Sequence, residues 1–168
     1  MATTTIRAVA ITVSDRCVRG EQDDVSGNAL VELLREAGAD IVAHEVLSDD
    51  LETLAERLRG LAERRDVNLI VTTGGTGFGP RDNTPEATLR VIEREASGLA
   101  EAMRTKTLEQ TPMAMISRGV SGICSGTLII NLPGSPKGVR ESFAVVKPVL
   151  SHAVKLLSGD TEHEADGK

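Results

Sequence analysis

The stretch Thr72–Thr88 reads TTGGTGFGPRDNTPEAT and directly follows the apolar run Val67–Val71. A short run of this kind predicts a buried strand, and Thr84-Pro85 predicts the start of a helix with proline in its first turn. The glycines between them let backbone N–H groups approach a ligand closely, and the helix N-terminus adds unpaired donors. The stretch therefore predicts a strand–turn–helix unit suited to a phosphate or another anion.

Asp82 lies inside this turn, although a carboxylate is not expected in a simple anion site unless a cation bridges it to the anion. One interpretation is an Asx-type turn, in which the side chain bonds the backbone near Thr84. The other is a Mg²⁺ ligand, since Mg²⁺ usually binds through one or two carboxylates together with substrate phosphates. Because Thr84 is itself a competent N-cap, we favour the magnesium ligand.

Strand and helix signals alternate outward from this stretch, which predicts an α/β layered fold with a mostly parallel sheet. The predicted strands are Ile6–Val13, Ile41–Leu47, Val67–Thr73, Met113–Ser117, Val120–Ile123 and Leu128–Leu132. The predicted helices are Ala29–Ala37 with Ser26 as its cap, Asp49–Arg65, Glu86–Arg94, Gly98–Leu108 and a last one from Ser135-Pro136 to Leu157, interrupted or kinked at Pro148. Residues 1–158 are expected to form one domain, and residues 159–168 a disordered polar tail.

The composition limits the possible partners. The chain has 168 residues, a formal net charge of −6 and only two aromatic residues, Phe78 and Phe143. Without a basic stripe or stacking aromatics, we expect no nucleic-acid partner and no membrane-surface partner. Cys17 and Cys124 are too few for a disulfide framework. With no secretory signal and no apolar run of membrane-spanning length, the expected location is the cytoplasm.

Three small polar turns follow apolar runs, namely Ser14-Asp15-Arg16, Thr73–Asp82 and Pro133–Lys137. In open α/β sheets ligands bind at the carboxyl ends of the strands, near a switch in strand order, so these turns are expected to converge on one rim. Alternatively, each merely connects a strand to a helix. The turns match neither the Walker pattern GxxxxGK[ST] nor the dinucleotide fingerprint GxGxxG.

Other polar residues near these turns have two interpretations each. Asp49 opens a predicted helix and has Glu52 three residues later, so a capping box explains it completely. Arg81, Arg118 and Lys137 adjoin glycine-rich turns and could clamp phosphates, or could be solvated surface charges. The three histidines have no partner spacing and are interpreted as structural or exposed.

Four blocks in one order carry a family resemblance. They are ITVSDRCVRGEQDDVSG (Ile11–Gly27), the quoted stretch Thr72–Thr88, ISRGVSG (Ile116–Gly122) and LIINLPGSPKGVRE (Leu128–Glu141). Together they resemble the molybdopterin-binding family that includes MogA, MoaB and the G domain of gephyrin, over residues 5–157. The LPGSPK lysine and the stretch Glu101–Arg118 are more similar to the MogA branch.

The resemblance implies a three-layer α/β/α fold, and adenylyl transfer from Mg·ATP to molybdopterin with release of pyrophosphate. It implies that Asp82 and Asp49 are catalytic and hold Mg²⁺, Asp49 then being more than a cap. It implies that Gly75, Thr76 and Gly77 cradle the nucleotide phosphates. The other implied nucleotide or pterin contacts are Ser14, Asp15, Gly74, Arg81, Ser117, Arg118, Pro133, Gly134, Ser135 and Lys137.

The resemblance also implies a homotrimer, and a separate insertase that takes the adenylylated product. The alternative function is a non-catalytic, MoaB-like module that holds molybdopterin without chemistry. Asn83 and Gly79 stand where the family often has valine and alanine, which makes this loop more polar or looser.

Overall fold

The computed structural model describes residues 4–160. Its strands are β1 (Arg7–Val13), β2 (Asp40–Leu47), β3 (Leu69–Thr73), β4 (Arg94–Glu95), β5 (Ser121–Cys124) and β6 (Thr127–Leu132). Its α-helices are α1 (Asp15–Val18), α2 (Val25–Glu36), α3 (Leu51–Ala62), α4 (Thr84–Leu89), α5 (Ser97–Leu108) and α6 (Pro136–Leu157), and a 3₁₀ helix covers Pro112–Ile116.

The six strands form one sheet in the order β2-β1-β3-β6-β5-β4. β2, β1, β3 and β6 run parallel, whereas β5 is antiparallel to both of its neighbours. The chain moves from β1 outward to β2 and then returns to the other side of β1 with β3, so the strand order switches between β1 and β3. A crevice for a ligand is expected beyond the carboxyl ends of these two strands.

Helices cover both faces of the sheet, which confirms the three-layer α/β prediction. One core joins α2, α5 and α6 to the sheet, with Leu30, Met103 and Phe143 among its buried side chains. The other core joins α3 and α4 to the opposite face, through residues such as Leu58 and Ala87. Successive residues of β1 alternate between the two cores, as the period of a strand requires.

Two predicted elements differ from the structure more than the others do. Met113–Ser117 is not a strand, because Pro112 begins a 3₁₀ helix and the Thr111 hydroxyl accepts a hydrogen bond from the Met113 N–H at 3.3 Å. The helix predicted over Glu86–Arg94 is α4, which ends at Leu89, so that Arg94 can pair with β5.

Three of the predicted helix caps are also wrong. Asp24, not Ser26, caps α2 by accepting a hydrogen bond from the Gly27 N–H at 2.9 Å. Asp50, not Asp49, caps α3 by accepting from the Thr53 N–H at 2.9 Å. Nearby residues with a side-chain oxygen compete for an N-cap, and the backbone path decides which one occupies it.

Thr84 does not cap α4 either, because its hydroxyl donates to the carbonyl oxygen of Gly74 at 2.8 Å. Because Ser26 is not the cap of α2, its hydroxyl is free to bond elsewhere, and it donates to the carbonyl oxygen of Gly134 at 2.6 Å. Each of these side chains therefore fastens one of the glycine turns that the sequence predicted to form the site.

The last helix has the predicted bounds, but it is not interrupted at Pro148. Ser135 caps α6 by accepting from the Gly138 N–H at 3.0 Å, Pro136 is in the first turn, and the helix continues through Pro148 to Leu157. In residues 4–160 no helix is long and apolar enough to cross a membrane. Residues 161–168 of the predicted tail lie outside the described part of the chain.

Candidate active site

The three predicted turns meet at the carboxyl edge of the sheet. The Thr73 hydroxyl donates to the Pro133 carbonyl at 2.7 Å, which joins the turn after β3 to the turn after β6. The Ser14 N–H donates to the Leu47 carbonyl at 2.9 Å, which joins the turn after β1 to the end of β2. The turn after β2 carries Asp49, so four turns, not three, build the site.

Asp15 and Asp49 tie the first two turns together by reciprocal hydrogen bonds. The Asp15 N–H donates to Asp49 Oδ2 at 2.8 Å, and the Asp49 N–H donates to Asp15 Oδ1 at 3.1 Å. Arg81 reaches across from the turn after β3 and donates to both oxygens of Asp15, at 2.6 and 3.1 Å. Arg81 is therefore at the site, but its guanidinium is paired with a carboxylate.

The two aspartates have opposite electrostatic environments. Hydrogen bonds from the Arg81 guanidinium and then from the Asp49 N–H lower the pKa of Asp15. Burial raises the pKa of Asp49, and the charges of Asp15 and Asp82 raise it further, although the hydrogen bond from the Asp15 N–H opposes them. Asp49 is thus a half-buried carboxyl among other carboxylates, an environment that a cation would stabilise.

Two glycines of the turn after β3 have left-handed backbone angles, with φ of +99° at Gly74 and +66° at Gly75. A Cβ atom on Gly74 would lie 2.3 Å from the Val13 carbonyl oxygen. A Cβ atom on Gly75 would lie 2.3 Å from Thr84 Oγ1 and 3.1 Å from Asp49 Oδ1. Glycine is therefore required here both by conformation and by the close approach of neighbouring turns.

Asp82 forms a turn contact, but backward along its loop rather than forward to Thr84. Its Oδ2 accepts a hydrogen bond from the Gly79 N–H at 2.8 Å, and its own N–H donates to the Gly79 carbonyl at 3.0 Å. A Cβ atom on Gly77 would lie 2.9 Å from the same Oδ2 atom. The carboxylate is therefore turned toward the glycines of its own loop.

Two cavities meet at this edge. The methionine cavity, of about 520 Å³, has a wall from α5 and the 3₁₀ helix that includes Met103, Thr107 and Met113. The aspartate cavity, of about 410 Å³, is lined by the turns after β1 and β2, with Asp15 and Asp49. The residues that line both cavities are Gly75, Asp82 and Gly134.

The predicted site residues divide between the two cavities. Ser14, Asp15, Asp49 and Gly74 line the aspartate cavity. Thr76, Gly77, Ser117, Pro133, Ser135 and Lys137 line the methionine cavity. Arg81 and Arg118 line neither cavity.

Sequence reasoning missed two groups of residues. The wall from α5 and the 3₁₀ helix was not recognised, although most of it lies in the stretch Glu101–Arg118 that is similar to the MogA branch. Nothing in the sequence of that stretch marks Met103, Thr107 or Met113 as facing a cavity. Asp24 lines the aspartate cavity and accepts hydrogen bonds from Thr12 Oγ1 at 2.8 Å and from Gly27. His44 Nε2 lies 2.9 Å from Asp24, so this histidine has a partner that sequence spacing did not indicate.

The donor set resembles a magnesium site more than a transition-metal site. Within residues 4–160, no three histidine, cysteine, aspartate or glutamate side chains are arranged to hold a metal ion. Asp49 and Asp82 lie near enough for their charges to interact, and each approaches the glycine turn, Asp49 at Gly75 and Asp82 at Gly77. Two carboxylates beside exposed backbone are what Mg²⁺ uses when substrate phosphates complete its shell.

A doubly wound sheet with a ligand crevice at its strand-order switch defines a class of α/β ligand-binding proteins. Residues 9–152 match the family model described as "Probable molybdopterin binding domain", and the chain belongs to this family.

Among curated relatives, the chain is 37% identical over 158 residues to the molybdopterin adenylyltransferase of Helicobacter pylori, covering 93% of this chain and 90% of that protein. It is 40% identical over 151 residues to the molybdenum cofactor synthesis protein cinnamon of Drosophila melanogaster. That match covers 89% of this chain but only 25% of cinnamon, so the chain spans about a quarter of that relative.

Among solved structures, the chain is similar to the molybdopterin biosynthesis enzyme MoaB of a Thermus species, with 48% identity and a TM-score of 0.87 over 92% of this chain and 98% of that one. A structure of MogA has 39% identity and a TM-score of 0.84 over 90% of this chain and 99% of that one. Relatives with both branch names therefore share this fold.

Proposed function

We propose that this protein is a molybdopterin adenylyltransferase of molybdenum cofactor biosynthesis, and that ATP is the adenylyl donor. The observation that carries the proposal is the pair of cavities that share Gly75, Asp82 and Gly134. A transferase with two substrates needs two binding volumes whose reacting ends meet. One cavity would hold the pterin and the other the nucleotide, with their phosphates at the shared residues.

The names of the relatives support the same activity. The Helicobacter pylori protein is named for it, as is the Escherichia coli protein, which is 37% identical over 152 residues covering 89% of this chain and 78% of that protein. They favour this function over the alternative of a binding module without chemistry.

In the proposed reaction, an oxygen of the terminal molybdopterin phosphate attacks the α-phosphorus of ATP. The bond from that phosphorus to the oxygen bridging to the β-phosphate breaks, and pyrophosphate leaves. Such a transfer depends mainly on positioning and charge neutralisation. The backbone of Gly75–Gly77 would cradle the phosphates, while Asp49 and Asp82 would hold a cation against them.

The carboxylates fit Mg²⁺, because burial and neighbouring charges already disfavour ionised Asp49 and a cation would relieve this cost. Bound Mg²⁺ would neutralise developing phosphate charge. The glycine turn holds the backbone beside both carboxylates, since the approach distances at Gly75 (to Asp49) and at Gly77 (to Asp82) leave no room for a side chain.

The test is direct. Purified protein is incubated with Mg·ATP and molybdopterin, and adenylylated molybdopterin is measured by mass spectrometry alongside pyrophosphate. We expect product only when both substrates are present. Molybdopterin binding measured by calorimetry, with no ATP binding and no product, would instead identify a binding module.

We further propose a cytoplasmic homotrimer that passes its product to a molybdenum insertase. Both cysteines are free thiols, which suits a reducing compartment. Phe78, Met113 and Met115 are each at least 60% exposed, and exposed apolar surface of this kind favours protein contacts. Analytical ultracentrifugation tests the trimer; a monomer at micromolar concentration contradicts it.

A further inference from the structure

Arg118 is the second residue after the 3₁₀ helix and contacts the loop that carries Asp82. Its backbone N–H donates to the Thr76 carbonyl at 2.8 Å. Its Nε donates to the Gly77 carbonyl at 2.8 Å, and its Nη2 donates to the Asp82 carbonyl at 2.7 Å. Both ends of the Gly77–Asp82 loop are therefore held by one guanidinium.

The remaining side of the guanidinium is also occupied. Nη1 donates to the carboxylate of Glu86, which belongs to α4. With the Arg118 side chain only 34% exposed and lining neither cavity, its donors point to protein groups on three sides. This arrangement does not suit the phosphate clamp that the sequence had suggested.

We propose that Arg118 is a positioning residue that sets the place of the Asp82 carboxylate and couples it to the wall of the methionine cavity. The coupling is short, because the adjacent Ser117 lines that cavity. A ligand that contacts Ser117 would therefore lie one residue along the chain from Arg118, which holds both ends of the Asp82 loop. The inference rests on the proposed transferase activity, which gives the position of Asp82 its importance.

Lysine cannot replace arginine in this role. A guanidinium is a rigid planar fork whose separate nitrogens reach two carbonyl groups and a carboxylate at once. An ammonium group is a single point with the same charge. Arg118→Lys therefore keeps the charge at this position while releasing at least one end of the loop.

The experiment compares the unmodified protein with Arg118→Lys and Glu86→Gln. For Arg118→Lys we expect kcat to fall by about a hundredfold, the cost typical of a small misplacement in an active site, with little change in either KM. Glu86→Gln should lower kcat less, because both carbonyl contacts of the guanidinium remain. In Arg118→Ala, added guanidinium at a non-denaturing concentration should restore part of kcat.

Amide hydrogen exchange supplies a readout that does not depend on turnover. The N–H groups of Gly79 and Asp82 are both bonded within the loop, so they should exchange faster in Arg118→Lys than in the unmodified protein. If the unmodified protein forms no adenylylated product, the proposed function fails, yet this exchange still tests the positioning role. If Arg118→Lys does not fold, Glu86→Gln supplies a weaker comparison, with smaller expected changes in kcat and in exchange because it removes only the carboxylate partner of the guanidinium.

The proposal is overturned if Arg118→Lys raises the KM for ATP or molybdopterin while kcat and the exchange of Gly79 and Asp82 stay unchanged. That result would make Arg118 a ligand contact. Unchanged kinetics together with unchanged exchange would overturn it as well.

Discussion

The methionine cavity and the aspartate cavity lie side by side but are built differently. Helix side chains make much of the first wall, and several of them are apolar, such as Met103 and Ile116. The second is lined by turns and by the short helix α1, which present carboxylates, hydroxyl groups and arginines such as Arg16 and Arg19. An apolar wall holds a flat group mainly by contact area, whereas turns supply directional hydrogen bonds and charge.

The difference indicates that the two cavities bind different chemical groups, a flat group against the apolar wall and charged groups among the turns. The residues common to both cavities are the glycines Gly75 and Gly134 and the carboxylate of Asp82. Small residues there allow two ligands to approach each other, and a carboxylate there can hold a cation between their phosphates. The following predictions test this assignment.

The largest effect on turnover is expected at Asp82, which lines both cavities. Asp82→Asn should lower kcat by about a thousandfold, equivalent to about 4 kcal/mol, because it removes a ligand of the proposed cation. Pyrophosphate release measures the loss, and calorimetry should find molybdopterin binding largely intact. Substantial turnover in Asp82→Asn would mean that the two cavities do not react through this residue.

In the aspartate cavity, adjacent aspartates provide a matched pair. Asp49→Asn should lower kcat by about a hundredfold through lost orientation of the reacting groups. Asp50→Ala should instead cost about 1 kcal/mol of unfolding free energy with near-normal kinetics, because Asp50 is the helix cap. Steady-state kinetics and denaturant unfolding are measured for both variants. Equal losses of activity would contradict the catalytic role of Asp49 and the capping role of Asp50.

Substituting an exposed basic residue in each cavity should change the KM of a different substrate. Lys137 lines the methionine cavity and is 78% exposed, while Arg19 lines the aspartate cavity and is 56% exposed. Substituting either with alanine should raise one KM by about threefold, in keeping with the small value of exposed charge interactions. Each variant should affect a different substrate. An increase in the same KM for both would argue against one substrate per cavity.

The smallest effect is expected for the ion pair between Arg118 and Glu86, which supports the loop that carries Asp82. Arg118 lowers the pKa of Glu86, so this pair stabilises the folded protein above the unfolded pKa of glutamate, about 4.3, and the contribution is lost as pH falls through the lowered value. Glu86 is 43% exposed, so the effect is modest. The difference in thermal midpoint between unmodified protein and Glu86→Gln should shrink as pH falls from neutral to about 3. A constant difference would mean that the contact is not electrostatic.

The parallel strands and the glycine turns could be predicted because their signals are local. β-branched runs such as Leu69–Thr73 favour strands wherever they are buried, and the rule for open α/β sheets then places the following turns at one edge. The family blocks added Asp49, whose local pattern had suggested only a helix cap.

The partners of individual polar side chains could not be predicted in the same way. Ser26 looked like a cap, yet it donates to Gly134, which lies 108 positions away in the sequence. Arg118 looked like a phosphate ligand, yet it holds carbonyl groups 41 and 36 positions away. A polar side chain bonds to whichever partner the fold brings near, and spacing along the chain does not contain that information.

By itself, the sequence determined the layered α/β fold, the family and the turns that surround the site, because hydrophobic period and glycine placement act over a few residues. Only the tertiary structure decided that two cavities meet at Asp82, that Asp50 rather than Asp49 caps α3, and that the wall from α5 and the 3₁₀ helix closes one side. These features depend on the order of strands in the sheet, which brings distant segments within hydrogen-bonding distance.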